Sequence, residues 1–259
     1  MSEVRIEING GSATVDQLAY PAIVNYGHFT AMQVRGGAVR GLDLHLARLD
    51  AASRELFGTG LPGERVRRCV RQALRHGTAD ASVRVGVFQP DGDDAPSVMV
   101  VVRPPVEPPG AAQSLTAVPD RRSVAHLKHT GTFAQIYHGQ AAERAGFDDA
   151  LLTDQDGLIT ETTTGNVGFF DGTALIWPDA PALPGITMRL LTRTMTGRGL
   201  PVRHAPVHIA DLPSLRSVFV TNSVGIVAVQ RVDDQLLASD PGFVHTLVRT
   251  YESVPLDPI

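Results

Sequence analysis

Five groups in this chain have the type and spacing to do chemistry. Lysine and arginine together number 23, yet Lys128 is the sole lysine. A guanidinium serves salt bridges and anions well but does not readily form an imine, whereas a neutral primary amine does. Lys128, in HisLeuLysHis, is therefore a candidate for covalent bonding to an aldehyde; the competing reading is a surface lysine left over by a bias toward arginine. His45 and Arg48 stand three residues apart and would share a helix face, where Arg48 is either an anion-binding fork or a surface partner of Asp50 or Glu55. Glu161 ends LeuIleThrGlu four threonine-rich residues ahead of Asn166, as a placed carboxylate or as an exposed strand acid. ProGlyIleThr at 184–187 opens a helix whose unpaired backbone N–H groups at Ile186 and Thr187 suit a phosphate, with the Thr187 hydroxyl as a further donor or only a local cap. ValThrAsnSerValGly at 220–225 breaks a strand into a polar turn that presents Asn222 and Ser223.

The elements that must carry these groups are readable from periodicity and turn residues. Alternation predicts a strand over 4–8, a hairpin of 29–34 with 38–40 around GlyGly, and strands over 82–88 and 97–102 joined by AspGlyAspAsp. Leucines at 42, 46, 49 and 56 predict a helix over 42–57 that stops at Gly58, and Val66, Val70 and Leu74 predict a second over 62–76. Phe133, Ile136 and Tyr137 fall at helical spacing ahead of Gly146. Strands follow over 148–154 and 158–170, with an AspGly turn between them and a further pairing across Asp171 and Gly172. ProGlyIleThr then starts a helix that runs to about Gly197.

HisLeuLysHis, IleThrGlu-x4-Asn and ProGlyIleThr, in this order and spacing, resemble the fold-type IV pyridoxal phosphate enzymes, which include branched-chain and D-amino acid aminotransferases and aminodeoxychorismate lyase. The resemblance runs from about Tyr26 to Val229. It implies a two-domain α/β (α+β) fold, with a small N-terminal domain, a larger C-terminal one, and pyridoxal 5'-phosphate in the cleft between them. It also implies that Lys128 bonds the cofactor aldehyde, Glu161 holds the pyridine nitrogen protonated, and Asn166 lies at the cofactor. Arg48, Ile186, Thr187, Asn222 and Ser223 would hold its phosphate, with Asn222 and Ser223 also able to face substrate. Small amino acid and 2-oxo acid substrates and a homodimer follow from the same resemblance.

Composition is compatible with this. A chain of 259 residues, 43% of them hydrophobic, can bury a sizeable core. A net charge of −4 gives no reason to expect nucleic acid or an anionic membrane as partner. The opening MetSerGluValArgIleGluIle has neither a basic run nor an apolar core, and the longest apolar runs are strand-sized, so a cytoplasmic protein without a secretory leader is the expectation. Cys69, the single cysteine, excludes an intrachain disulfide and reads as a buried helix position. No zinc or EF-hand pattern occurs, so no metal is expected. Four prolines between 103 and 110 break the chain, placing a first domain at 1–106, a linker at 107–112 and a second domain at 113–259. A proline-rich surface loop inside one domain is the alternative.

Departures from the family pattern bear on the substrate. Phe133 stands where branched-chain enzymes carry a tyrosine to the cofactor's phenolic oxygen, which leaves Arg121, seven residues before the lysine, to meet that oxygen instead. The Arg-x-His pair with which D-amino acid enzymes hold a substrate carboxylate is absent between 82 and 103, and Met188 replaces the arginine that usually follows ProGlyIleThr. Phe29 lies where relatives place a substrate-contacting aromatic, with core packing as the rival explanation. Aminotransferase is the leading reading; a lyase is second, and a protein that only binds the cofactor is third.

Overall fold

The computed structural model describes residues 4–75 and 79–259, a mixed α/β chain that divides into two compact units. The first unit takes the chain as far as Val106 and adds Leu127–Gly131 and Pro255–Ile259; the second comprises Glu107–His126 and Thr132–Val254. This division differs from a single cut at 107–112 in two places, and backbone hydrogen bonds give the reason. Phe29 N donates to Lys128 O at 2.8 Å and Thr130 N to Gly27 O at 2.9 Å, so residues 127–131 lie along a strand of the first unit.

The first unit contains β1 (Arg5–Ile8), β2 (Gly11–Ser12), α1 (Val15–Ile23), β3 (Gly27–Val34), β4 (Ala38–Arg40), α2 (Leu42–Phe57), α3 (Gly63–Leu74), β5 (Ala81–Phe88) and β6 (Ser97–Arg103). Its sheet runs β2-β1-β6-β5-β3, antiparallel throughout. Side chains alternate between the faces of a strand. Met32 and Val34 of β3, with Val83, Val85 and Val87 of β5, therefore point toward Leu42 and Leu49 of α2 and Val66 and Val70 of α3 and form one core. Cys69 is buried in α3, where burial pushes its thiol pKa up. The end of the second predicted helix at His76 lies outside the described residues.

The predicted hairpin of 29–34 with 38–40 does not form as a ladder. Gly36 and Gly37 both have positive φ, 57° and 74°, and close a tight turn through the Arg35 and Ala38 backbone bonds. Beyond that one bridge β4 leaves the sheet and pairs with the C-terminal strand Leu256–Pro258, while β3 pairs along its length with β5. Helix α1 was not legible from apolar spacing, because Val15 and Ile23 are exposed; its start is marked by a capping box between Thr14 and Gln17.

The second unit contains β7 (Gln113–Pro119), α4 (Phe133–Arg144), β8 (Asp149–Thr153), β9 (Ile159–Thr162), β10 (Asn166–Phe170), β11 (Leu175–Pro178), α5 (Ile186–Gly197), β12 (Val202–Ala205), β13 (Ser217–Thr221), β14 (Ile226–Val232), β15 (Gln235–Leu236) and α6 (Pro241–Glu252). Its sheet runs β12-β11-β10-β13-β14-β7-β8-β9, with β15 added on β14. Leu115, Leu151, Ile159 and Val167 pack on one side, and Trp177, Phe219, Leu191 and Leu247 on the other. Strands β8 to β10 are buried along their whole length, which holds Glu161 and Asn166 on fixed backbone. Among the described residues no helix is long and apolar enough to cross a membrane.

Candidate active site

In the first unit the alternation of β3 sends its chemistry two ways. Phe29 points away from the helices, and its ring is flanked by two cations: Lys128 Nζ is 4.9 Å from the ring centroid and the Arg84 guanidinium carbon 3.5 Å. The register explains the second contact. Phe29 lies opposite Gly86, which has no side chain, so Arg84, two residues along β5 on the same face, can reach over the ring. Among the described residues Arg84 has no carboxylate partner, and burial together with nearby Arg103 lowers its pKa. Arg84 stands alone and not in an Arg-x-His pair, so that pattern does not find it. The available signal was the SerValArgValGlyVal alternation, which puts Arg84 on the face away from the valine core.

The even-numbered residues of β3 face α2. The Thr30 hydroxyl is fully buried, lies 2.6 Å from His45 Nδ1, and accepts a hydrogen bond from Arg48 Nη2. His28 Nε2 lies 3.0 Å from Ser53 Oγ. Burial, followed by the Arg48 charge, lowers the pKa of both histidines, to about 4 for His28 and well below its ordinary value for His45. The His-x-x-Arg spacing thus brings His45 and Arg48 onto one hydroxyl of the neighbouring strand.

In the second unit Glu161 accepts from Arg122 Nε at 2.8 Å and from Leu183 N at 3.2 Å, and both members of the ion pair are nearly buried. Arg121, expected at the cofactor, instead points outward with its side chain 55% exposed, 3.7 Å from Asp154. Arg122 is the arginine that sequence reasoning missed. The segment between β7 and α4 is irregular, so no periodicity tells which of two adjacent arginines turns inward.

Asn166 is buried and donates from Nδ2 to Leu183 O at 2.6 Å. Its Oδ1 lies so close to Gly185 that a Cβ there would collide with it, so the glycine of ProGlyIleThr serves close approach; its φ of −63° is open to any residue. Helix α5 starts here without a side-chain cap, its first recorded main-chain bond being Arg189 N to Gly185 O. The N–H groups of Ile186 and Thr187 are consequently the donors that its first turn offers to an anion. Thr187 Oγ1 donates to Asn222 O at 2.7 Å, so its proton ties α5 to the turn after β13. Asn222 Oδ1 accepts from Val224 N and Gly225 N, which makes the side chain an organiser of that turn, with Ser223 at its tip. Asn166 pairs in register with Thr221, so Glu161, Asn166, Thr187 and the 221–225 turn converge within one unit.

Phe133 is not gathered with them. It begins α4 with 81% of its surface exposed and stacks on Tyr137, ring centroids 6.1 Å apart. With Ile136 it leaves a row of exposed apolar side chains on that helix.

The chemistry of the donor sets is specific. In the first unit an arginine suits a phosphate and a lysine an aldehyde; in the second, uncapped helix N–H groups suit a phosphate and a buried carboxylate suits a protonated ring nitrogen.

Residues 27–232 match the family model for amino-transferase class IV. A probable branched-chain-amino-acid aminotransferase of Rickettsia felis is 30% identical over 118 residues, covering 45% of this chain and 40% of that protein. The chain thus spans less than half the length of such curated relatives. A hypothetical aminotransferase from Mycobacterium tuberculosis, in its PLP-bound form, superposes with a TM-score of 0.85 at 19% identity, over 96% of this chain and 98% of that one. A putative 4-amino-4-deoxychorismate lyase from Legionella pneumophila superposes at 0.81 with 18% identity, over 91% and 93%. At such identities the likeness concerns the fold.

Proposed function

This chain belongs to the class IV aminotransferase family, and we propose that it transfers an amino group from an amino acid or small amine to a 2-oxo acid, holding pyridoxal 5'-phosphate through Lys128. The observation that carries this reading is the sole lysine beside Phe29, with the Arg84 guanidinium on the same ring. Held there, the cofactor would supply the aldehyde-derived carbon for covalent capture of substrate amines and a protonated ring to accept the electrons freed when a bond at the substrate Cα breaks.

The chain's own groups divide the remaining work. Lys128 Nζ, as a free amine, would take the proton from the substrate Cα and hold it for delivery to the carbon that receives the amino group. Glu161 holds the proton on the ring nitrogen, and Arg122 and the Leu183 N–H fix which way its oxygens face. A carboxylate offers about four lone-pair positions, so these two donors leave room for a third. Arg48 and the N–H groups of Ile186 and Thr187 bind the phosphate, while the Thr187 hydroxyl and Asn222 keep the α5 start in register with the turn. Arg84 takes the substrate carboxylate, since a half-buried guanidinium with no carboxylate partner among the described residues binds one strongly. A homodimer belongs to the same proposal and is supported by the exposed row Phe133, Ile136 and Tyr137; sedimentation of wild type against a Tyr137→Glu variant tests it.

The likeness to a lyase favours one second reading, elimination from aminodeoxychorismate. Loaded protein incubated with single amino acids and no acceptor separates the two. Stoichiometric conversion to the pyridoxamine form with release of a 2-oxo acid is expected. Absence of that conversion, with pyruvate and 4-aminobenzoate formed from aminodeoxychorismate, would give the lyase.

A further inference from the structure

We propose that Thr30 is the positioning residue for Arg48: its hydroxyl passes a directed chain of hydrogen bonds from the Arg48 guanidinium to His45, and so presents Arg48 to the phosphate in one orientation. The inference rests on the proposed reading of Arg48 as phosphate anchor.

The direction of the chain follows from donor and acceptor inventories. A guanidinium has no acceptor, so the Thr30 oxygen accepts from Arg48 Nη2. The hydroxyl has one proton of its own, and among the described residues the acceptor recorded for it is His45 Nδ1 at 2.6 Å. The imidazole therefore accepts at Nδ1, carries its proton at Nε2 and is neutral. Burial and the neighbouring Arg48 charge both push His45 the same way.

Packing alone does not call for a hydroxyl here. Thr30 is fully buried on the face of β3 that also carries Met32 and Val34, and valine would fill the same volume in a strand. Burying a hydroxyl is unfavourable unless its bonds are made, and both are made to residues one turn apart on α2. His45 and Arg48 thus bracket one fixed oxygen. An arginine tethered at one nitrogen gives up much of its rotamer freedom before any anion arrives, and the anion then binds more tightly because less order remains to be imposed.

The test compares dissociation constants for pyridoxal 5'-phosphate and for pyridoxal, which lacks the phosphate, by titration of the bound aldehyde's absorbance. Thr30→Val is expected to weaken the phosphorylated ligand about tenfold and pyridoxal less than about twofold, and Thr30→Ser to restore wild-type binding. Thr30→Cys keeps the volume while weakening both bonds, and gives the same readout should the valine protein not fold. Equal weakening of both ligands, or no change in either while Arg48→Gln selectively weakens the phosphorylated one, would overturn the role of Thr30. If Arg48→Gln also leaves the difference between the ligands intact, the phosphate-anchor reading fails and the Thr30 inference falls with it.

Discussion

Gly185→Ala provides the sharpest mutational test of how the start of α5 is built. The backbone at Gly185 permits alanine, but the new methyl would overlap Asn166 Oδ1 and lie 3.1 Å from its Cγ. Either Asn166 moves or the helix start does. Moving Asn166 breaks its 2.6 Å bond to Leu183 O and leaves two buried polar groups in need of partners. A lost bond of about 1 kcal/mol together with partial desolvation gives a cost of about 2–3 kcal/mol. Asn166→Ala should cost about 2 kcal/mol for the same bond and a small cavity. In the double variant the obstacle is gone, so Gly185→Ala should add less than about 0.5 kcal/mol. Urea unfolding of the four proteins measures the coupling, and cofactor titration should show the single glycine variant binding more weakly. Simple additivity of the two substitutions would refute the close-approach explanation.

Glu161→Ala leaves the Arg122 guanidinium buried without its carboxylate and should cost about 3 kcal/mol in denaturant unfolding, whereas the exposed Arg121→Ala should change stability by less than about 0.5 kcal/mol; similar costs for the two would contradict the assignment. Arg84→Met should raise the KM for the 2-oxo acid at least about tenfold while leaving the cofactor dissociation constant unchanged, and an unaltered KM would remove Arg84 from substrate binding. His28 has a folded pKa of about 4 against an unfolded value near 6.5, so the unfolded chain takes up its proton first as pH falls. Its contribution is complete above about pH 6.5 and is lost as pH drops toward 4, by about 3 kcal/mol. Unfolding free energies at pH 7 and 4.5 should therefore fall less steeply for His28→Gln than for wild type, and parallel falls would exclude the effect.

What the sequence made legible was what local rules govern. Leucine spacing and Gly58, whose φ is 68°, define α2 at its observed ends, and the helix carries His45 and Arg48 on the side facing β3. ProGlyIleThr starts α5 where capping rules expect a helix, although the glycine is needed for Asn166 and not for its φ. Long-range pairing was out of reach: β4 abandons β3 for Leu256–Pro258, a partner more than two hundred residues later. Apolar spacing found α4 but not that Phe133, Ile136 and Tyr137 lie on its exposed side, since period reports a stripe and not what covers it. Thr30 looked like any strand threonine. Its place in the site depends on β3 pairing with β5 and packing under α2, which no nearby residues encode.

The central claim is covalent capture at Lys128. Protein supplied with pyridoxal 5'-phosphate, reduced with borohydride and digested, should carry a phosphopyridoxyl mass on the peptide containing Lys128, in proportion to the activity present before reduction. An active preparation with no adduct on that peptide, or undiminished turnover in Lys128→Ala, would contradict it.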